Sequence, residues 1–244
     1  MQALFKEFRL TGMADVYEDL LQRATEQCWD YPRFIEALLE AEKEKRASNR
    51  RIRLLKQSKL PNKSLEGLQQ DLLPLQIRRQ LPQLLTGAFI DLQQNICAFG
   101  LPGRGKTHFL CAVGHELVQQ GKSVLFTPAY KLVERLLSAK KEHRLDRELA
   151  KLDRFEVILL DDIGYIKHTP QEMEVLFTFI AERYERRSLM ISSNLPFSKW
   201  EQIFTDPMTA MAAVDRLVQH SIILHFDGES IRMKNSKKET KMSH

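Results

Sequence analysis

A parallel α/β sheet covered by helices, preceded by a small all-helical domain, is the fold this sequence predicts. Three observations predict it. Short apolar runs alternate with helical stretches from about residue 95 to residue 226, the pattern of buried parallel strands joined by helices. Residues 100–107, G-L-P-G-R-G-K-T, lie between one such run and one such helix, a strand–loop–helix arrangement. The first 68 residues place apolar side chains at spacings of three and four, which is the helical period.

Taken in order, Leu4, Phe5 and Phe8, then Met13, Val16, Tyr17, Leu20 and Leu21, predict amphipathic helix near the start. Asp30-Tyr31-Pro32 breaks it and begins another helix, with Pro32 in the first turn, where its missing N–H costs nothing. This helix carries Phe34, Ile35, Leu38 and Leu39, runs on into a basic stretch and stops at Leu60-Pro61-Asn62. Residues 69–87 predict a linking helix with Arg78 and Arg79. Strands follow near 95–99, 123–127, 156–161, 188–193 and 221–226, and helices near 106–120, 129–139, 144–152, 170–187 and 207–219. The expected division is a helical domain over 1–68 and an α/β domain over 69–244.

A hydrophobic content of 43% over 244 residues supports a substantial core. No run of 18 apolar residues exists and the N-terminus lacks signal-peptide architecture, so the chain reads as cytoplasmic with no membrane partner. Cys28, Cys97 and Cys111 are odd in number and show no metal-ligand spacing. The net charge of +5 is unevenly spread: residues 41–63 hold nine basic side chains against two acids. Lys43, Arg46, Arg50 and Arg53 fall on one helical stripe, with Arg51 and Lys56 beside it. A second basic cluster, Arg232, Lys234, Lys237, Lys238 and Lys241, closes the chain. Two basic ends around a near-neutral middle point to a polyanion, and phosphate contacts of this kind are salt-sensitive and blind to sequence.

The loop over 100–107 matches the phosphate-binding pattern G-x-x-x-x-G-K-[ST] without a break. Gly100, Leu101, Pro102, Gly103, Arg104 and Gly105 supply the backbone that would wrap the phosphates of ATP, with His108 just beyond. Lys106 would reach the β- and γ-phosphates and the Thr107 hydroxyl would hold Mg²⁺. The run ending in Asp161-Asp162 puts two carboxylates at a strand's C-terminal end, where ligands bind in open α/β sheets. Asp161 is the candidate Mg²⁺ carboxylate and Asp162 the candidate that orients or deprotonates the attacking water. Asn194, at the tip of the fourth strand, is either a γ-phosphate contact or a turn residue before Leu195-Pro196. Arg216 is either a finger inserted into a neighbouring subunit's nucleotide or half of an intrahelical ion pair, and Arg183, Arg186 and Arg187 are rival finger candidates.

These residues resemble the IstB-like family, the ATP-dependent helper proteins of insertion-sequence transposition, which are related to DnaC helicase loaders within the AAA+ superfamily. The likeness runs nearly end to end: Leu10-Thr11-Gly12-Met13-Ala14, Gly105-Lys106-Thr107-His108, Leu160-Asp161-Asp162-Ile163-Gly164-Tyr165, Glu182-Arg183-Tyr184-Glu185-Arg186, Ser192-Ser193-Asn194-Leu195-Pro196-Phe197, Asp215-Arg216-Leu217 and Gly228-Glu229-Ser230. The resemblance implies an AAA+ P-loop NTPase that assembles with ATP as a homo-oligomer on duplex DNA and helps a partner transposase in target selection and strand transfer. It also implies ATP hydrolysis with Mg²⁺, with Asn194 at the sensor 1 position and Arg216 as the arginine finger. Leu101 and Arg104 depart from the usual loop residues, and Asp162 stands where many AAA+ proteins have Glu. Only about twenty residues follow the last strand, too few for a full AAA+ lid, so Arg232 is a candidate stand-in for the lid's sensor 2 arginine. A replicative helicase loader of the DnaC type is the alternative that shares this site.

Overall fold

The computed structural model describes residues 1–163, 169–196, 199–200, 215, 217–227 and 230. The chain forms two compact units, Met1–Lys56 and Gln57–His244.

The first unit is built from α1 (Gln2–Glu7), α2 (Thr11–Glu26) and most of α3 (Tyr31–Ser58). The periodicity that begins at Leu4 is two helices, because Arg9 adopts φ +58° between them. Leu10 then precedes α2 without a side chain able to cap it. The cap comes from α3: Glu42 Oε2 accepts the N–H of Gly12 at 2.6 Å and of Met13 at 3.3 Å. A helix N-terminus leaves its first N–H groups without partners and carries partial positive charge, so a carboxylate is favoured there. The approach is close enough that a Cβ on Gly12 would lie 2.6 Å from the Ala41 carbonyl oxygen. Phe5, Tyr17 and Phe34 pack edge to face, at centroid distances of 5.4 and 6.3 Å. At the start of α3, Asp30 Oδ1 accepts the Arg33 N–H at 3.0 Å, an N-cap that fixes the start expected at Asp30-Tyr31-Pro32.

In the second unit a single turn of 3₁₀ helix (Gln70–Leu72) precedes α4 (Leu75–Leu85) and the short α5 (Ala88–Asp91). The linking helix expected over 69–87 is therefore split. Pro74 holds Leu73 extended (φ −80°, ψ 147°), as a residue before proline must be. The α/β region then runs β1 (Asn95–Phe99), α6 (Lys106–Gln119), β2 (Val124–Pro128), α7 (Ala129–Lys141), α8 (Leu145–Leu152), β3 (Val157–Ile163), α9 (Pro170–Arg183), β4 (Ser188–Ser193) and β5 (Ser221–His225). Thr169 and Glu172 cap α9 reciprocally, with Pro170 at its first position. Tyr184 leaves helical geometry (ψ 129°) and Glu185 has φ +53°, so α9 stops four residues short of expectation. Of the helix expected near 207–219, residues 215 and 217–219 are described and helical; Arg216 lies outside the described residues.

All strand pairs are parallel and the order is β2-β3-β4-β1-β5. Cys97, Phe99, Ile158, Leu160, Leu189 and Ile191 alternate onto one face, in a cluster with Leu132 and Leu136 of α7 and Phe179 of α9. The intervening Ile96, Ala98, Val157, Leu159 and Met190 are equally buried, and α6 packs across β1 to β4. Both faces are covered, which is why the strands read as unbroken apolar runs. The order separates β1 from β3 by one strand, and that strand is β4. The connection leaving β1 runs to β2 on one side and that leaving β4 runs to β5 on the other. Such a reversal opens a crevice at the C-terminal strand ends.

The Glu42 carboxylate gives the first unit a pH signature. Burial raises its pKa, but hydrogen bonds from Arg46 and from the Met13 and Gly12 N–H groups outweigh burial and hold it below 4.5. A lowered pKa stabilises fully above the unfolded value and is lost as pH falls below it. Glu42→Ala is expected to cost about 1–3 kcal/mol, read as faster amide hydrogen exchange across α2. Its difference from the natural protein should be constant above pH ~5 and close as the pH drops below ~4.

Candidate nucleotide site

The loop over 100–107 turns tightly where β1 ends. Gly100, Gly103 and Gly105 adopt φ +149°, +81° and +90°, in the left-handed region that favours glycine. At Gly100 a Cβ would lie 2.4 Å from the Phe226 carbonyl oxygen, so the chain leaving β5 presses directly on the loop. Arg104 tightens the same contact: its Nη1 donates to the Phe226 carbonyl at 3.0 Å and lies 3.8 Å from Asp227. The unusual arginine of the loop thus faces β5. Phe109 on α6 stacks edge-on against Phe226, with centroids 5.5 Å apart.

Lys106 opens α6 and is 7% exposed; its Nζ donates to the Gly100 and Leu101 carbonyls at 2.6 and 3.1 Å. Thr107 Oγ1 donates to Asp161 Oδ1 at 2.7 Å, so α6 and β3 bring together the hydroxyl and the carboxylate expected to hold Mg²⁺. Ser192 on β4, which sequence reasoning did not single out, donates to the same Oδ1 at 2.6 Å and accepts the Asp162 N–H at 2.8 Å. Asp162 sits at φ +62°. The β3–β4 register jumps from Leu160↔Ile191 to Ile163↔Ser193 there, a local bulge that takes the Asp162 N–H out of the ladder. Asn194 follows β4 at this strand end, and its buried Oδ1 finds no hydrogen-bond partner among the described residues. Buried polar atoms without partners are rare and mark sites built for something else.

Beside the loop, a cleft of about 240 Å³ is lined by residues 103–108 and by Lys63, Gly67, Leu68 and Gln69. His108, expected at the edge of the phosphate loop, and His115 hold this segment down. His108 Nε2 contacts the Ser64 carbonyl at 3.0 Å and His115 Nε2 the Pro61 carbonyl at 2.8 Å. His108 therefore turns to the segment preceding the sheet. Cys97 and Cys111 are buried small apolar groups, and burial pushes both thiols up to about 12. The group fits a magnesium–nucleoside triphosphate: a left-handed glycine loop at a helix N-terminus, a buried lysine, a Thr–Asp pair and an unpartnered Asn converge at one crevice.

Of the rival finger candidates, Arg183 is 2% exposed. Its guanidinium donates to the carbonyls of Leu152, Phe155, Glu156 and Ser188 at 3.0–3.3 Å. Burial pushes its pKa down, and it remains protonated at neutral pH. It ties α8 and α9 to the N-terminal ends of β3 and β4, away from the loop, and cannot reach a neighbour. Arg186 is exposed and pairs with Asp153 at 2.9 Å, and Arg187 is exposed. Arg216 and Arg232 lie outside the described residues.

Strand order and glycine loop define the class: a P-loop α/β protein whose first and third strands are separated by the fourth. The chain belongs to the family described as IstB-like ATP binding protein, which matches residues 3–239. It is 37% identical over 235 residues to an insertion-sequence ATP-binding protein of Sinorhizobium fredii, covering 96% of this chain and 79% of that one. It is 34% identical to the IS21 ATP-binding protein of Pseudomonas aeruginosa, covering 98% and 90%. Among solved structures it is similar to DnaI, with TM-score 0.56 and 18% identity over 66% of this chain and 89% of that one. AMPPCP-bound DnaA from Aquifex aeolicus gives TM-score 0.56 and 21% identity over 75% and 56%. These two likenesses show the fold. The family makes this an ATP-binding chain.

Removing Arg183 takes a donor from four carbonyls, of which Leu152 and Glu156 keep the N–H groups of Phe155 and Ser188, and leaves a cavity behind. Arg183→Ala is expected to cost about 3 kcal/mol or more, and Arg183→Lys to rescue little, since lysine lacks the planar fork. Arg187→Ala should change stability by no more than ~0.5 kcal/mol. Thermal unfolding of the three variants checks this.

Proposed function

We propose that this chain is an ATP-hydrolysing, DNA-assembling regulator that helps the transposase of its insertion sequence in target selection and strand transfer. The observation that carries the reading is the convergence of Lys106, Thr107, Asp161 and the unpartnered Asn194 at one strand-end crevice, in a family of insertion-sequence ATP-binding proteins.

In this reading ATP and water give ADP and phosphate. Lys106 swings from the loop carbonyls onto the β- and γ-phosphates, and the loop N–H groups cradle them. Mg²⁺, held through Thr107 and Asp161, supplies charge neutralisation on the phosphates. Asp162 orients the attacking water and takes its proton, and the Asn194 amide fixes the γ-phosphate or that water. Arg216 from a neighbouring copy completes the site, which makes assembly depend on the triphosphate. With Asp in place of Glu the water is held one methylene further away, so turnover is slow, as suits a switch.

The DNA contact is assigned to α3 in the first unit. Lys43, Arg46, Arg50, Arg51, Arg53 and Lys56 are all exposed there. Arg46 is partly engaged by Glu42 at 2.7 Å and Lys43 by Glu40 at 3.1 Å. The Lys43–Glu40 pair is exposed on both sides, is worth little and exchanges readily for phosphate, whereas Arg46 is held by the buried Glu42.

Duplex and single-stranded DNA binding, measured by anisotropy with ATP, ADP or no nucleotide across a salt series, tests the reading. Tight duplex binding with ATP alone is expected, with a log–log salt slope of about −3.6 to −5.4 for four to six phosphate contacts, and it should vanish in Lys106→Ala. A Lys106→Ala protein that still assembles on duplex DNA with ATP would sink this account. Binding to single strands only would favour the helicase-loader reading. Turnover gives a second check. Asn194→Ala is expected to slow hydrolysis about 100-fold or more while leaving the melting temperature unchanged or raised, because it removes a buried atom that has no partner.

A further inference from the structure

Ser192 lies in β4, two residues before Asn194, and is 1% exposed. Its hydroxyl proton goes to Asp161 Oδ1 at 2.6 Å, and its oxygen accepts the Asp162 N–H at 2.8 Å. We infer that Ser192 is a positioning residue of the nucleotide site, holding the Asp161 carboxylate in one orientation and the Asp162 backbone in its left-handed turn. The inference rests on the reading of Asp161 and Asp162 as the carboxylates of an ATP-hydrolysing site.

Three features of the geometry support it. Two donors from different elements, Thr107 on α6 and Ser192 on β4, converge on the single oxygen Oδ1 of Asp161, so the carboxylate cannot rotate without breaking one of them. The bulge between Leu160 and Ile163 removes the Asp162 N–H from the β3–β4 ladder, and the Ser192 hydroxyl is the acceptor that replaces the ladder bond. The Ser192 hydroxyl donates to the carboxylate and accepts from the N–H at once, a double role that alanine cannot fill, and at 1% exposure both groups depend on it. The adjacent Ser193 is a natural control. Its hydroxyl donates to the Ile163 carbonyl at 2.8 Å and accepts the Leu195 N–H at 3.1 Å, shaping the strand tip without touching either aspartate. Because Asn194 directly follows β4, a contact at Asn194 and the pose of both carboxylates depend on the same strand end.

The test is titration of a fluorescent ATP analogue with and without Mg²⁺, alongside ATP turnover and thermal unfolding, for the full chain and its variants. In EDTA, Ser192→Ala should bind the analogue as the natural protein does. The gain in affinity on adding Mg²⁺ should shrink about 10-fold and kcat should fall about 10- to 100-fold, the range for removing a group that orients a metal ligand. Ser192→Thr, which keeps the hydroxyl, should restore both. Ser193→Ala should lower the melting temperature and leave the Mg²⁺ response intact. An unchanged Mg²⁺ response in Ser192→Ala, or an equal loss of affinity with and without Mg²⁺, overturns the inference. If Ser192→Ala does not fold, Ser192→Cys, close in volume but a weak donor, decides by the same readout. Asp161→Asn separates the two levels of the argument. Should it keep the natural Mg²⁺ response, the reading of Asp161 itself fails, whatever Ser192 does.

Discussion

Asp161 Oδ1 is the atom on which the nucleotide site turns. It accepts from Thr107 at 2.7 Å and from Ser192 at 2.6 Å, so one oxygen joins the start of α6, the end of β3 and the end of β4. The three meet only because the sheet is ordered β2-β3-β4-β1-β5, which puts β4 between the strand that launches the loop and the strand that carries the carboxylates. Partly buried charge-assisted hydrogen bonds are stronger and more demanding of geometry than neutral ones. The junction therefore fixes the relative heights of three elements that no covalent link holds in register. A second lock sits across the loop, where Phe226 and Arg104 press the chain leaving β5 against Gly100.

Much of this was legible in the sequence, and what was not has physical reasons. Apolar runs with both faces covered located β1 and β4 to the residue and the other strands within two. The glycine loop located the phosphate site, because left-handed backbone admits few other residues. Strand order was beyond reach: sequence distance between Lys106 and Asp161 allows a strand between theirs without saying which. Pro74 carried a visible signal that residues 69–87 would not be one helix, and the helical period around it masked that signal.

Charged and hydroxylic side chains were the hardest to read, because their roles depend on partners far along the chain. Glu42 counts as one acid in a basic stretch, yet it caps a helix that begins thirty residues earlier. Arg183 stands in a run of charges that looks like a solvated helix face, yet it is buried against four carbonyls. Ser192 and Ser193 are adjacent and identical in type, and the strand's alternation together with the β3 bulge separates the one that meets the aspartates from the one that shapes the strand tip. Pattern finds the surfaces of elements. It does not find which buried group satisfies which.

The bulge also explains why residue 162 is an aspartate. At φ +62° the backbone is in the left-handed region, where the short polar side chains of Asn and Asp are several-fold enriched over other non-glycine residues. Glutamate has no such local hydrogen bonding to offset the crowding of its Cβ. The Asp162 side chain is exposed and its N–H is tied back to Ser192, so the turn aims the carboxylate while the strand fixes its base. A shorter acid on a strained, anchored backbone trades reach for fixed position.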